Sequence, residues 1–190
     1  KLADYTYDLC PLSGEEFPGF MERRDFKAIN VTIPYKKDVI PYLDEMDENA
    51  AAIGAVNTIV NKNGRLIGHN TDFSGFEYMV VSNGISLSGK KALVLGTGGA
   101  SNAVAAVFRK LGAASVILVS RSGKGEAVTY EQCLSAHTDA QIIANTTPVG
   151  MFPNVGASPL DLTPFTSCEA VLDVIYNPAK TRLTIQAEAL

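Results

Sequence analysis

A chain of 190 residues, 46% of them hydrophobic, is long enough to bury the core of one large or two small domains. Its formal charge of −4, with acids and bases interspersed, leaves no basic patch for nucleic acid or an anionic membrane, so small-molecule chemistry is the default. No apolar run reaches bilayer-spanning length, and Cys10, Cys133 and Cys168 lack the spacing of a disulfide framework or a zinc site. The opening Lys1-Leu2-Ala3-Asp4 carries neither an initiator Met nor a signal-peptide pattern, so the expectation is a cytoplasmic, metal-free protein whose chain has been cut from a longer one.

Tyr5-Thr6-Tyr7-Asp8-Leu9 alternates like a strand, and Glu15 to Met21 has a helical pattern interrupted by Pro18. Ala28 to Val31 reads as a buried strand. It runs into Asn30-Val31-Thr32-Ile33-Pro34-Tyr35-Lys36, which sets an ionisable amine beside hydroxyl and amide side chains. Lys36 to Leu43, kinked or divided at Pro41, and Asp47 to Ile53 read as short helices. Thr58 to Asn61 and Arg65 to Gly68 flank Asn63-Gly64, the dipeptide that supplies the positive backbone angles of a tight hairpin. Such a hairpin carries Asn57 and Asp72 at its two outer ends, on the same side. Thr71 or Asp72 then caps a helix whose apolar residues Phe73, Phe76, Met79 and Val80 recur at helical spacing.

Composition shifts at Ser82 to Lys90, an exposed link, and the domain boundary is placed there, between residues 1–84 and 85–190. Beyond it come a strand (Ala92 to Leu95), a helix (Gly99 to Leu111), a strand (Ser115 to Val119), a short helix (Val128 to Ala136) and strands at Gln141 to Ala144 and Ala170 to Val174. This alternation implies a parallel, doubly wound sheet with right-handed crossovers. The expected fold class is α/β: an N-terminal α/β substrate domain followed by a Rossmann-type domain.

Leu93-Val94-Leu95-Gly96-Thr97-Gly98-Gly99-Ala100 is a strand entering a glycine-rich turn and a helix. In a dinucleotide site one glycine makes the tight turn and another lets the backbone reach the pyrophosphate, whose charge sits at the helix N-terminus. Gly96 and Gly98 fill those places. Ser101 stands where a third glycine usually falls, with Gly99 and Ala100 supplying small residues; the competing reading is a glycine-rich turn of some other α/β domain. After the second strand, Ser120-Arg121-Ser122 offers no carboxylate to ribose hydroxyls. A guanidinium there makes paired hydrogen bonds to a phosphate, so NADP is expected over NAD.

A ketone reduced by hydride develops negative charge on oxygen and needs a proton donor or a positive charge within hydrogen-bonding distance. Lys36 supplies either; Asp72 as partner favours its charged form and burial the neutral one. Each candidate also has a structural reading: Lys36 as a solvated charge like Lys37, Asp72 as a helix cap, Asn57 and Thr32 as turn residues. His69, beside the cluster, and His137 are not required for this chemistry.

Asn30 to Lys36, Gly54-Ala55-Val56-Asn57-Thr58, Asn70-Thr71-Asp72 with Gly75-Phe76, Gly96 to Ser101, and Asn145-Thr146-Thr147-Pro148-Val149-Gly150-Met151 together resemble the shikimate dehydrogenase family, in order and over nearly the whole chain. The resemblance implies reversible, NADPH-dependent reduction of 3-dehydroshikimate to shikimate in aromatic amino acid biosynthesis. It makes Lys36 and Asp72 the catalytic pair and puts Thr32 and Asn57 on the substrate. Tyr176, within Asp173-Val174-Ile175-Tyr176-Asn177-Pro178, falls beside the substrate. Gly96, Gly98, Gly99, Ala100, Ser120, Arg121 and Ser122 then surround the NADP. A monomer or homodimer with a small-molecule substrate is expected.

The chain departs from the family pattern in several places. The family's two N-terminal serines that hold the substrate carboxylate have no counterpart, Ser13 not being that motif, and Gln186 falls too early to be its C-terminal substrate-contacting glutamine. Asn102 stands where the family often has an Arg, and Gly125 where its phosphate motif has a second basic residue. The rivals are a dehydrogenase of dual shikimate and quinate specificity, a cofactor-binding module without turnover, and a lysine-bearing dehydrogenase of folate metabolism, disfavoured by the Asn-Thr-Asp cluster.

Overall fold

The computed structural model describes residues 6–32 and 34–190, so Tyr5 of the expected first strand and Ile33 lie outside the described residues. The chain forms two compact units, Lys1–Asn70 and Thr71–Leu190. No helix among the described residues is long and apolar enough to cross a membrane.

The first unit contains α1 (Glu16–Arg23), β1 (Ala28–Asn30), β2 (Glu45–Met46), α2 (Glu48–Ile53), β3 (Thr58–Lys62) and β4 (Arg65–His69). Its four-stranded sheet has the order β1-β3-β4-β2, with β2 parallel to β4 and the other pairs antiparallel. The β3–β4 hairpin turns on Asn63 and Gly64 with φ of 55° and 88°, the two positive angles expected of that dipeptide. Ile59 and Leu66 project from the sheet into a core with Phe17, Met21, Val39 and Val56. Gly68 lies against this core, where an added Cβ would stand 2.5 Å from Leu43 and 2.9 Å from Val56.

Several local expectations change here. Thr6–Cys10 forms no strand. Pro18 sits in the first turn of α1, where a backbone amide has no intrahelical acceptor, so the helix continues unbroken to Arg23. β1 is an edge strand with Ala28 and Asn30 exposed, not the buried strand expected of its apolar residues, because only Ile29 packs on the core. Lys36 to Leu43 is not an α-helix but a series of turns closing in a 3-10 helix at Ile40–Tyr42, with Pro41 inside it. α2 begins after Asp47, whose carboxylate accepts from the Ala50 amide.

The second unit contains α3 (Thr71–Ser82), β5 (Lys91–Leu95), α4 (Gly99–Lys110), β6 (Ser115–Val119), α5 (Tyr130–Ala136), β7 (Ile142–Asn145), β8 (Ala170–Asp173) and α6 (Arg182–Ala189). Its four strands run parallel in the order β6-β5-β7-β8. A parallel bridge from Val128 to Val119 continues the sheet beyond β6 by a single residue. Connections lead from β5 outward to β6 and Val128, then return across β5 to β7 and β8. The order reverses between β5 and β7, which makes their carboxyl ends the topological switch point. Ala92 to Leu95 are wholly buried, as a central parallel strand requires.

α5 starts at Tyr130, not Val128, because Thr129 and Gln132 form a capping box. α6 was not foreseen; Thr181 caps it. α3 belongs to this unit although the composition change lies after it: Phe76 meets Phe108 of α4 at 5.6 Å between ring centroids, and Lys110 of α4 pairs with Glu77 at 2.8 Å.

Candidate functional site

In the first unit, register sets Asn30, Thr58 and His69 side by side across β1, β3 and β4. Strand alternation turns this row away from the face carrying Ile59 and Gly68. Asn30 Nδ2 donates to Thr58 Oγ1 at 3.2 Å, Thr58 Oγ1 donates to Asn57 Oδ1 at 3.2 Å, and the Tyr7 hydroxyl donates to Asn30 Oδ1 at 3.3 Å. His69 Nδ1 lies 2.7 Å from Asp47 Oδ2, the oxygen not engaged in capping α2.

Backbone hydrogen bonds tie Asn57 and Lys36 into this sheet end. The Val31 amide donates to the Asn57 carbonyl at 2.8 Å, the Asn57 amide to the His69 carbonyl at 3.0 Å, and the Val56 amide to the Lys36 carbonyl at 2.8 Å. Asn70 Nδ2 donates to the Ala55 carbonyl at 2.9 Å. Asn57 and Asn70 are 8% and 4% exposed, burial that polar side chains accept only with hydrogen-bond partners. Lys36 is half-buried while Lys37 is exposed, so the two neighbouring lysines occupy different environments; Thr32 is exposed. Asp72 belongs to the second unit, exposed in the first turn of α3, where a negative charge suits the positive end of the helix.

In the second unit, Gly96 leaves β5 with φ 112°, and its amide donates to the Val119 carbonyl at 2.8 Å. A Cβ at this position would lie 2.7 Å from Thr146 Oγ1 and 3.2 Å from Thr147 Cγ2, so both backbone angle and space demand glycine. Gly98 is the N-cap of α4 and has no side chain to close the helix start. Gly99 and Ala100 therefore begin α4 at the carboxyl edge of the sheet, beside the switch point, the arrangement that accommodates a pyrophosphate. Ser101, at the position of the usual third glycine, is wholly buried and donates from Oγ to the Gly98 carbonyl.

Past β6, Ser120 Oγ accepts from the Gly123 amide at 3.1 Å, and Arg121 and Ser122 are exposed. Burial pushes the nearby Tyr130 phenol up, Cys133 adds to this, and the Arg121 charge opposes it. Tyr176, on the loop after β8, is 89% exposed.

The residues that line the other side of the crevice carried no assigned role in the sequence reading. Thr146 and Thr147, directly after β7, abut Gly96, and Asn145 and Asp173 close the ends of β7 and β8 through Asn145 Nδ2 donating to Asp173 Oδ1 at 3.1 Å. The signal available was a polar Asn ending an apolar strand; its partner was not legible, since Asp173 is remote in sequence.

Doubly wound strand order and a turn at the switch point that admits no side chain are the marks of a Rossmann-type dinucleotide-binding protein. The family model described as the shikimate dehydrogenase substrate binding domain matches residues 2–59. A shikimate dehydrogenase (NADP(+)) of Halothermothrix orenii is 41% identical over 180 residues, covering 84% of this chain and 62% of the relative. One of Dehalococcoides mccartyi is 37% identical, covering 97% of this chain and 72% of the relative. The structure of shikimate 5-dehydrogenase from Thermus thermophilus, solved with NADP(H) and shikimate, superposes with a TM-score of 0.79 at 35% identity, over 94% of this chain and 70% of that one. The chain belongs to the shikimate dehydrogenase family. It spans about three fifths of the length of the first of these relatives, 62%.

Proposed function

We propose that this chain carries the reversible, NADP-dependent reduction of 3-dehydroshikimate to shikimate, acting in the cytoplasm as a monomer or homodimer. The observation that carries the reading is identity of 37% sustained over 97% of the chain to a relative named for that activity. Substrate binding is assigned to the first unit and NADP binding to the second. Lys36 gives its proton to the ketone oxygen as charge develops there, with Asp72 as its orienting partner. Thr32 and Asn57 orient the substrate by hydrogen bonds, and Tyr176 lies beside it.

Gly96, Gly98, Gly99 and Ala100 hold the pyrophosphate. Ser120, Arg121 and Ser122 hold the 2′-phosphate, with the guanidinium supplying paired donors. When bound, NADPH supplies the hydride.

The test is a steady-state screen of shikimate and quinate, each with NADP and with NAD, followed by nicotinamide absorbance. Fastest turnover of shikimate with NADP supports the reading. Comparable turnover of quinate would make the enzyme dual in specificity, and NADP binding without turnover would make it a cofactor module.

A further inference from the structure

We propose that Asp173 is a positioning residue for the dinucleotide crevice, acting through Asn145 on the Thr146-Thr147 turn that faces Gly96; this rests on the NADP reading of the second unit. Asp173 ends β8. Its Oδ1 accepts from Asn145 Nδ2 at 3.1 Å and from the Ile175 amide at 3.0 Å, and its Oδ2 accepts from Thr181 Oγ1 at 2.7 Å. Asn145, wholly buried at the end of β7, presents its other terminus to the turn: Oδ1 accepts from the Thr147 amide at 2.9 Å and from Thr147 Oγ1 at 2.7 Å. Thr147 Oγ1 in turn accepts from the Val149 amide at 3.2 Å.

An asparagine amide has a donor end and an acceptor end of nearly equal shape, so its direction is set by its neighbours. A carboxylate accepts only. With Asp173 on one side, the flipped amide of Asn145 would set oxygen against oxygen there and an NH2 group against the two Thr147 donors on the other side. Asp173 thereby selects the orientation in which Asn145 can hold Thr147. The turn so held is the one whose Thr146 and Thr147 side chains occupy the space a Cβ on Gly96 would need. Thr146 is itself tied to the end of β5, donating to the Leu95 carbonyl from its amide at 2.9 Å and from Oγ1 at 2.6 Å. Through the Ile175 amide the same carboxylate also sets the backbone that leads to Tyr176.

The two oxygens of Asp173 lead to different places, which separates positioning from general stability. Oδ1 leads to the crevice; Oδ2 leads to the cap of α6. Asp173→Ala is expected to weaken NADP binding, measured by calorimetry, about tenfold, because it leaves buried donors unpaired and the amide undirected. It should also speed hydrogen exchange of the Thr147 amide in the protein without cofactor. Thr181→Val should lower the melting temperature while leaving NADP affinity unchanged. Asn145→Asp sets two carboxylates against each other and should also weaken binding, and adding Asp173→Asn, which restores a donor between them while the Ile175 amide loses its acceptor, should recover part of it.

NADP affinity of Asp173→Ala equal to wild type, an equal affinity loss in Thr181→Val, or no recovery in the double variant would overturn the positioning role. Failure of the wild-type protein to bind NADP would instead defeat the cofactor reading beneath it, and Thr147 exchange unchanged by Asp173→Ala would defeat the positioning chain independently of any cofactor.

Discussion

Lys36 and Lys37 are adjacent in sequence and differ in what surrounds them. Lys37 is exposed, whereas Lys36 is half-buried at the polar end of the first sheet, with its carbonyl accepting from Val56. As proton donor, Lys36 should be worth at least about 10²-fold in turnover. Lys36→Ala is therefore expected to lower kcat by that factor or more with NADP affinity unchanged, and near-normal kcat would remove it from the mechanism. Arg121→Ala should weaken NADP far more than NAD, because only NADP has the extra phosphate; equal losses in paired titrations would refute the contact.

Asp44 makes a prediction about pH. The Leu66 amide and the Arg24 guanidinium, each at 2.7 Å, hold its carboxyl below the ordinary 3.8. The unfolded chain then binds this proton at a higher pH than the folded one does. Its contribution is complete above the ordinary value and is lost as pH falls through that value toward the lowered one. Melting temperatures measured across acid pH should fall less steeply in Asp44→Asn than in wild type.

Elements were legible where their signals are local. The Asn63-Gly64 turn, the short helix α2 and the β5–α4 glycine turn each rest on backbone angles or hydrogen bonds spanning a few residues. Elements were misjudged where context overrode the pattern. Pro18 is harmless in a first turn, Pro41 accompanies a 3-10 turn, and β1 looks buried by composition but lies at an edge. Gly96→Ala meets both a positive φ and the Thr146 side chain, so it should destabilise the second unit by more than about 1 kcal/mol and abolish measurable NADP binding. Thr129→Ala, which opens the α5 capping box, should cost about 1 kcal/mol in denaturant melts.

At the scale of the whole molecule, each unit has buried core of its own among the described residues: Met21, Val56, Ile59 and Leu66 pack together in the first, and Leu93, Leu95, Ile143 and Leu183 in the second. The composition change after Ser82 points to a division at 84/85, whereas α3 packs with α4 in the second unit. A fragment of residues 71–190 should accordingly melt at a higher temperature by circular dichroism than one of residues 85–190, which leaves Phe108 without Phe76. Equal melting temperatures would return α3 to the N-terminal domain.

Residue identity along short stretches was sufficient for the strand–helix alternation, the hairpin turn, the glycine turn and the choice of Lys36, Asn57, Asp72 and Arg121 as candidates. Those rest on side-chain size, allowed backbone angles and ionisable chemistry, all readable within a few positions. Register and packing were needed to align Asn30, Thr58 and His69 in one row, to bring Thr146 against Gly96, to set Asp173 behind Asn145 and to give α3 to the second unit. These are meetings of residues distant in the chain. Strand pairing fixes the Asn30-Thr58-His69 row and the Asn145–Asp173 pair, and because side chains alternate, a slip of one residue would turn either to the opposite face.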